Sequence, residues 1–470
     1  MRHKRYPEHI LLALLLAWFS IAAAAQAQSS EGRLDPSNPP DWSFDENFRP
    51  GVSDRPNHPA DRFPVSLHEA FQTSHVQNPS VLEAVKNLER TRSQVLTAGA
   101  RPNPQFAMQL GFGPAYNQVV AGNTQQLGVN QLFELGGKRR ARLQFARDNI
   151  LLAEKQLDDL RSDIRAAVRK AYAELAAAEA NVELVENQRV LVERLRHITQ
   201  KRVEKKLSEE LDLLQAKLAL ESFETLRNSA LARMRQASIK LNQLLGYQVD
   251  RDLDVEDNGL FKLSQKKTEL VPPPDEQIKP LASYLVEAHE HRPDVKASRQ
   301  QIAAAKSEIK LRKAEAIPDL LIGSGWVFTA YKKSSGYPQQ PGAFLNINMD
   351  MPIFYRHQGE IAAAKVNLER SLIQDRTASS IVEMDVRLAY SSIVSARANL
   401  AHYQKVLIPL ALSVIRKSHE AYENGKSDLG STIVAQQQYQ QTFSNYFETV
   451  VAYQSAWADL ETAVGRKMDF

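Results

Sequence analysis

Gln126-Leu127-Gly128-Val129-Asn130, then Glu134-Leu135-Gly136-Gly137, then Lys138-Arg139-Arg140-Ala141-Arg142: within 17 residues the chain changes its period. Leu127 and Val129 alternate with Gln126, Gly128 and Asn130. That is the period of two of a strand with one apolar face. From Lys138 to Leu245 there is then neither Gly nor Pro in 108 residues. This stretch is rich in Ala, Leu, Glu, Gln and Arg, all good helix formers. Gly136 and Gly137 are expected to make the turn from strand to helix, because glycine reaches conformations other residues disfavour.

Upstream, Phe106, Met108 and Leu110 alternate with Gln105, Ala107, Gln109 and Gly111, which completes a hairpin over 102–135. A second hairpin is expected over 318–354. There Leu320, Ile322, Trp326 and Phe328 alternate with Gly323, Gly325 and Thr329, and Leu345, Ile347, Met349 and Met351 alternate with Asn346, Asn348 and Asp350. It too runs into a helix, through Arg356-His357-Gln358-Gly359, with Gly359 expected at the turn. Polar loops lie at Pro114–Thr124 and Tyr331–Pro341, and aromatics cluster near the strand ends: Phe112, Tyr116, Phe133, Trp326, Tyr331, Tyr337, Phe344, Phe354 and Tyr355. A soluble sandwich would show the same alternation. The aromatic girdle and the export signal described below favour outer-membrane strands.

Four strands cannot close a barrel, since single-chain barrels begin at about eight. An open edge in lipid leaves backbone groups unsatisfied. The chain must therefore oligomerise: two copies would supply eight strands and three would supply twelve. Gln, Asn and Gly on the second face suit a wet lumen.

The first helix, Lys138 to about Lys205, would be about 100 Å long. Leu157, Ile164, Ala171, Ala178, Val185 and Val192 recur seven apart, with Val168, Leu175 and Val182 four further on. A seven-residue seam specifies coiled-coil packing, and its alanines permit close approach. A second helical stretch runs from about Gln358 to Val464, interrupted at Pro409, Gly425 and Gly430. The halves match. Val168-Arg169-Lys170-Ala171-Tyr172 returns as Val386-Arg387-Leu388-Ala389-Tyr390 after 218 residues, and Leu244-Leu245-Gly246 as Ala463-Val464-Gly465 after 219. A near-constant offset marks an internal duplication. The expected order is a signal peptide (1–27), a Pro-rich extension (28–64), a first repeat (65–250, helix pair 138–246), a linker or equatorial segment (251–280), a second repeat (281–465, helix pair 358–464) and a tail (466–470). In the second repeat one shorter helix is expected over about Leu281 to Glu315.

The signal peptide rests on Arg2, Lys4 and Arg5, the apolar run Ile10 to Ala25, and Ala25-Gln26-Ala27 at the cleavage positions. The chain of 470 residues carries 59 Lys and Arg against 55 Asp and Glu, too balanced for a nucleic-acid binder. There is no cysteine, so disulfides, thiolate metal sites, a cysteine nucleophile and a cysteine lipid anchor are excluded. No enzyme signature is present. Gly136-Gly137-Lys138 lacks phosphate-loop spacing, and His289 and His291 are not a helix-face pair. No cofactor or metal site is expected.

The order hairpin, long helix pair, connector, hairpin, long helix pair resembles the TolC-like outer-membrane factor family. The resemblance covers about residues 65 to 465. Leu135-Gly136-Gly137-Lys138-Arg139 with Ala141-Arg142 is similar to the branch that serves heavy-metal and other RND (resistance-nodulation-division) pumps. The resemblance implies a mainly α fold with a membrane β-barrel. Long coiled-coil helices form a periplasmic α-barrel, and a homotrimer closes a twelve-stranded barrel in the outer membrane. It implies a periplasmic adaptor and an inner-membrane RND transporter as partners. The function would be a passive exit duct for tripartite efflux; alternatives are the duct of a type I protein-secretion system, or a secreted coiled-coil rod without a pore.

It further implies a gate at the periplasmic helix tips, where an acid in the first tip bonds a tyrosine in the second. The matching positions are Asp212 and Tyr422. Paired lumenal acids carried by TolC fall on Ser431 and Val434 here, so Glu209, Glu210 or Asp428 would have to supply an acidic constriction. Lys138, Arg139, Arg140 and Arg142 oppose the helix dipole. They are expected either to meet lipid phosphate at the barrel base or to stand solvated.

Overall fold

Two-residue alternation and a seven-residue seam do produce a sheet that runs straight into long helices. The computed structural model describes residues 63–110, 123–255, 270–273, 278–330 and 341–466. The expected signal peptide, nearly all of the Pro-rich extension, the expected hairpin loops with Phe112, Tyr116, Tyr331 and Tyr337, and most of the tail lie outside the described residues.

Strand β1 (Phe63–Val65) leads into α1 (Leu67–Gln77) and α2 (Pro79–Gly99). Ser66 and Glu69 form a reciprocal capping box on α1, and the Asn78 side chain accepts from the amides of Ser80 and Val81 to start α2. The first hairpin is β2 (Gln105–Leu110) and β3 (Asn123–Phe133). Helix α3 (Lys138–Glu204) is unbroken for 67 residues, and α4 (Glu210–Leu245) returns beside it. After β4 (Leu253–Val255) come α5 (Leu281–His291) and α6 (Pro293–Glu315). The second hairpin is β5 (Leu320–Ala330) and β6 (Pro341–Met349). Helix α7 (Gln358–His402) passes through a π-helical turn (Tyr403–Leu407) into α8 (Ile408–Glu423), and α9 (Leu429–Val464) returns.

Three expectations need correction. The single helix over Leu281 to Glu315 is two, because Pro293 offers no amide hydrogen to continue α5. The end of the extension, Phe63–Val65, and described residues of the 251–280 segment are built into the body: β1 pairs in parallel with β4, and Leu270 and Val271 are buried. Gly359 is not the turn residue of the second half. It sits within α7, and the left-handed position is His357 at φ 54°.

The duplication is visible in the backbone itself. Left-handed residues fall at Gly137 and His357, at Lys206 and Gly425, and at Gly246 and Gly465. The two terminal glycines also allow a close approach. A Cβ on Gly246 would stand 2.2 Å from the Gln77 carbonyl oxygen, and one on Gly465 would stand 2.5 Å from Arg292 Cα. Each repeat thus ends against the break between its own first two helices.

The four long strands form one antiparallel sheet in the order β2-β3-β5-β6. Met108, Leu127 and Trp326 stand in register on one face and are exposed, as are Leu345, Ile347 and Met349 on β6. Phe344 departs from the girdle reading. Period two places it with Asn346 on the other face, where its ring approaches Gly128. Both outer strands, β2 and β6, are left unpaired on one edge.

Helix α3 is the central column, packed by α2 and α6 above and by α4 and α9 below. The seam residues Leu157, Ala171, Val185 and Val192 are buried, as are Val168 and Leu175. Ala173, Ala176 and Ala180 are fully buried, which lets neighbouring helices come close. Opposite them α9 presents Tyr439, Phe443, Tyr446, Phe447, Tyr453 and Trp457. Separations of three, four and seven among them give one helix face.

Asp159 and Asp163 lie one turn apart on α3, near Asp294. Burial, then repulsion from Asp163 and Asp294, raises Asp159 to about 6, against the pull of Arg292. A raised carboxyl stabilises the fold below about pH 4, and that contribution is lost as pH rises through about 6. Asp159→Asn is therefore expected to raise the unfolding temperature at pH 8 and leave it unchanged at pH 4. The gain is about 1 kcal/mol once solvent screening of a half-exposed group is allowed for. Equal shifts at both pH values would contradict this origin.

Candidate functional site: helix tips and strand–helix junctions

At the far end from the sheet, α3 turns into α4 and α8 turns into α9. Both turns close the same way. Leu207 donates to the Arg202 carbonyl and Lys426 to the Ala421 carbonyl, each across a left-handed residue, Lys206 or Gly425. Tyr422, in the last turn of α8, is 2% exposed and packs with Leu195, Ala216 and Leu429.

The Tyr422 hydroxyl lies 2.7 Å from Thr199 Oγ1. Thr199 already donates to the Leu195 carbonyl at 2.9 Å, so Tyr422 is the donor to Thr199. Arg202 stands 5.0 Å from the Tyr422 ring centroid and donates to the Tyr422 carbonyl at 2.9 Å. Arg194 lies 3.9 Å from Glu423. Three side chains of α3 thus hold the second tip.

The expected Asp212–Tyr422 bond is not formed within the chain. Thr199 takes the hydroxyl instead, because the α3 face meets Tyr422 directly. Asp212 is half-buried in the first turn of α4, one turn before Ala216. Glu209 and Glu210 are exposed at the start of α4, where the dipole favours acids. Asp428 caps α9, accepting from the Ser431 amide at 3.0 Å and from the Ser431 hydroxyl. Those two bonds hold its carboxyl below the usual range. Thr199 and Arg202 escape a reading by tip composition. Their signal is a spacing of three, which puts both on one face of α3.

At the junction near the sheet, Gly136 and Gly137 have φ of 68° and 72°. A Cβ on Gly136 would meet the Ile317 side chain at 2.5 Å. Three of the four basic residues find partners in the protein, and the fourth stands exposed. Lys138 is buried and lies 2.7 Å from Asp319. Arg142 grips both oxygens of Glu134 and also donates to the Ala98 and Ala100 carbonyls. Arg139 donates to the Gly99 carbonyl at 2.6 Å. The carbonyls at the end of α2 thus complement cations that the start of α3 repels. Arg140 is exposed.

Between the two ends, α3, α6 and α7 border a groove of about 640 Å³ lined by Asn149, Gln156, Gln301, Asn367, Arg370 and Gln374. Among the described residues no three His, Asp or Glu side chains are placed to hold a metal ion. No described helix is long and apolar enough to cross a membrane.

The cobalt-zinc-cadmium resistance protein CzcC of Cupriavidus metallidurans is 22% identical over 86% of this chain and 90% of its own length. The crystal structure of CusC shares the fold with a TM-score of 0.68 at 18% identity, over 90% of this chain and 99% of that one. The outer membrane protein VceC of Vibrio cholerae gives 0.65 at 18% identity, over 85% of this chain and 96% of that one. A family of efflux channels leaves no room for the secreted rod without a pore. The profile of the outer membrane efflux proteins matches residues 70–247 and 284–466, one block per repeat, and the chain belongs to that family.

Proposed function

We propose that this chain is the passive exit duct of a tripartite efflux system, working as a homotrimer in the outer membrane. Three copies would set β6 of each beside β2 of the next and close a barrel of twelve strands. The helices would continue it as a tunnel through the periplasm, with polar grooves such as that between α3 and α7 on the conducting side. A periplasmic adaptor and an inner-membrane RND transporter would deliver the cargo and supply the energy, while this chain performs no chemistry. Likeness to a cobalt-zinc-cadmium resistance protein favours divalent metal cations as cargo. An export leader in residues 1–27 suits this location, and without cysteine the barrel itself would be the anchor.

The observation that carries the reading is the sheet. It exposes an apolar face, leaves both edges unpaired, and leads directly into helices of tunnel length. The gate is assigned to Tyr422 held by Thr199 and Arg202, with Asp212 one turn before Ala216, which packs against Tyr422, and Glu209 and Glu210 at the rim. Planar-bilayer conductance of the detergent-purified protein tests both parts. Wild type should insert and conduct weakly. Tyr422→Phe loses one hydrogen bond, so its open fraction should rise about fivefold. Arg202→Ala loses two contacts and should rise further. Insertion with both variants unchanged would sink the latch, and no insertion at all would sink the duct.

A further inference from the structure

We infer that a cavity beside the end of α9 is an oxyanion site, taking a ligand that carries a phosphate or carboxylate group. The cavity is about 210 Å³ and lies between α1, α3, the start of α6 and the residues that follow α9. His75, Arg161, Arg165 and Arg466 line it. None of the three guanidinium groups has a carboxylate partner among the described residues. Their neighbours do. Arg169 is paired with Glu461 at 3.2 Å, and Arg292 with Asp294 and Asp385.

The two acids that line the cavity are already engaged. Glu461 faces Arg169, and Asp158 lies 3.2 Å from Lys155. The lining thus carries three guanidinium groups against two carboxylates, each of which already faces another cation.

A second observation points the same way. His75 Nε2 and Arg161 Nε are shielded from solvent and have no hydrogen-bond partner. Buried polar atoms are nearly always satisfied, and an orphan on a cavity wall calls for a bound group. An oxyanion offers several lone pairs at once to guanidinium forks, whose planar geometry suits it. Burial, then the charges of Arg165 and Arg161, keep the His75 imidazole below its usual pKa, as a positive pocket requires. Helix α6 also begins on this wall, at Pro293. A ligand here would tie α1 and α3 of the first repeat to the start of α6 and the end of α9 in the second.

The test uses the full chain in detergent, titrated with inorganic phosphate at constant ionic strength set by chloride. Phosphorus-31 line broadening and the unfolding temperature are read together. Wild type should broaden the phosphate line and unfold at a higher temperature. Arg161→Gln should weaken binding about tenfold. Arg466→Gln, at an exposed position that leaves the fold intact, should weaken it by a smaller factor. Acetate in place of phosphate separates the sources: stronger stabilisation by acetate assigns a carboxylate, stronger stabilisation by phosphate a phosphate. No effect beyond that of chloride would overturn the site, as would unchanged binding in both variants. Binding that emerges only after residues 467–470 are removed would overturn an external ligand.

Discussion

Gly325→Val should abolish the sheet, and with it the folded oligomer in the membrane. Gly325 lies in β5, paired with Gly128 of β3 on one side and Phe344 of β6 on the other. A Cβ there would stand 2.1 Å from the Leu127 carbonyl oxygen and 2.6 Å from Gly128 Cα. Both are backbone atoms of the neighbouring strand, so no side chain can yield. Strand β5 is internal, and displacing it separates β2-β3 from β6. A barrel with an unpaired seam in lipid leaves backbone groups unsatisfied at several kcal/mol each. The yield of heat-modifiable oligomer in outer-membrane fractions should fall by at least about tenfold. Gly359→Ala is the control. Nothing lies within 4 Å of its Cβ, and alanine raises helix propensity, so that variant should gain up to about 1 kcal/mol. Wild-type yield from Gly325→Val would refute the register.

The second large effect is expected at Arg169 and Glu461. They join α3 to α9 deep in the body, with side chains 5% and 7% exposed. Arg169 also donates to Gln454 at 3.2 Å, and Gln454 in turn donates to the Leu270 carbonyl at 2.6 Å. Removing one partner strands a charge that is almost wholly shielded from solvent. Arg169→Ala and Glu461→Ala should each cost about 3–5 kcal/mol. The double change Arg169→Met with Glu461→Leu should cost far less, because no charge is left to desolvate. Thermal unfolding of the four proteins separates the cases. Single variants as mild as the double would show that this pair sits in effective contact with water.

Much of the fold was legible because the physics that sets it is local and periodic. The strand faces follow from a period of two, and the buried stripe of α3 follows from a period of seven. The turn at Gly136 and Gly137 follows from the need for positive φ. The same local reasoning misled at Gly359, because the second half meets that need with His357 one residue before its helix. Phe344 was grouped with the girdle by its place near a strand end, whereas the pleat and two facing glycines turn it to the other face.

The sites were less legible, because their partners come from distant sequence. Asp319 reaches Lys138, the carbonyls of α2 reach Arg139 and Arg142, and Thr199 of α3 takes the hydroxyl of Tyr422. No periodicity marks a residue whose partner lies 223 positions away. Charge alone shows that Lys138 and Arg142 need compensation, without saying from where.

The contacts that hold Tyr422, from Thr199 and Arg202, lie within its own chain. Under the proposed gate, that fixes the statistics of opening: each copy would carry its own latch, and closure would be a sum of equal local terms rather than one concerted transition. A ring of such latches would pass through partly dilated states, its aperture graded by how many had let go.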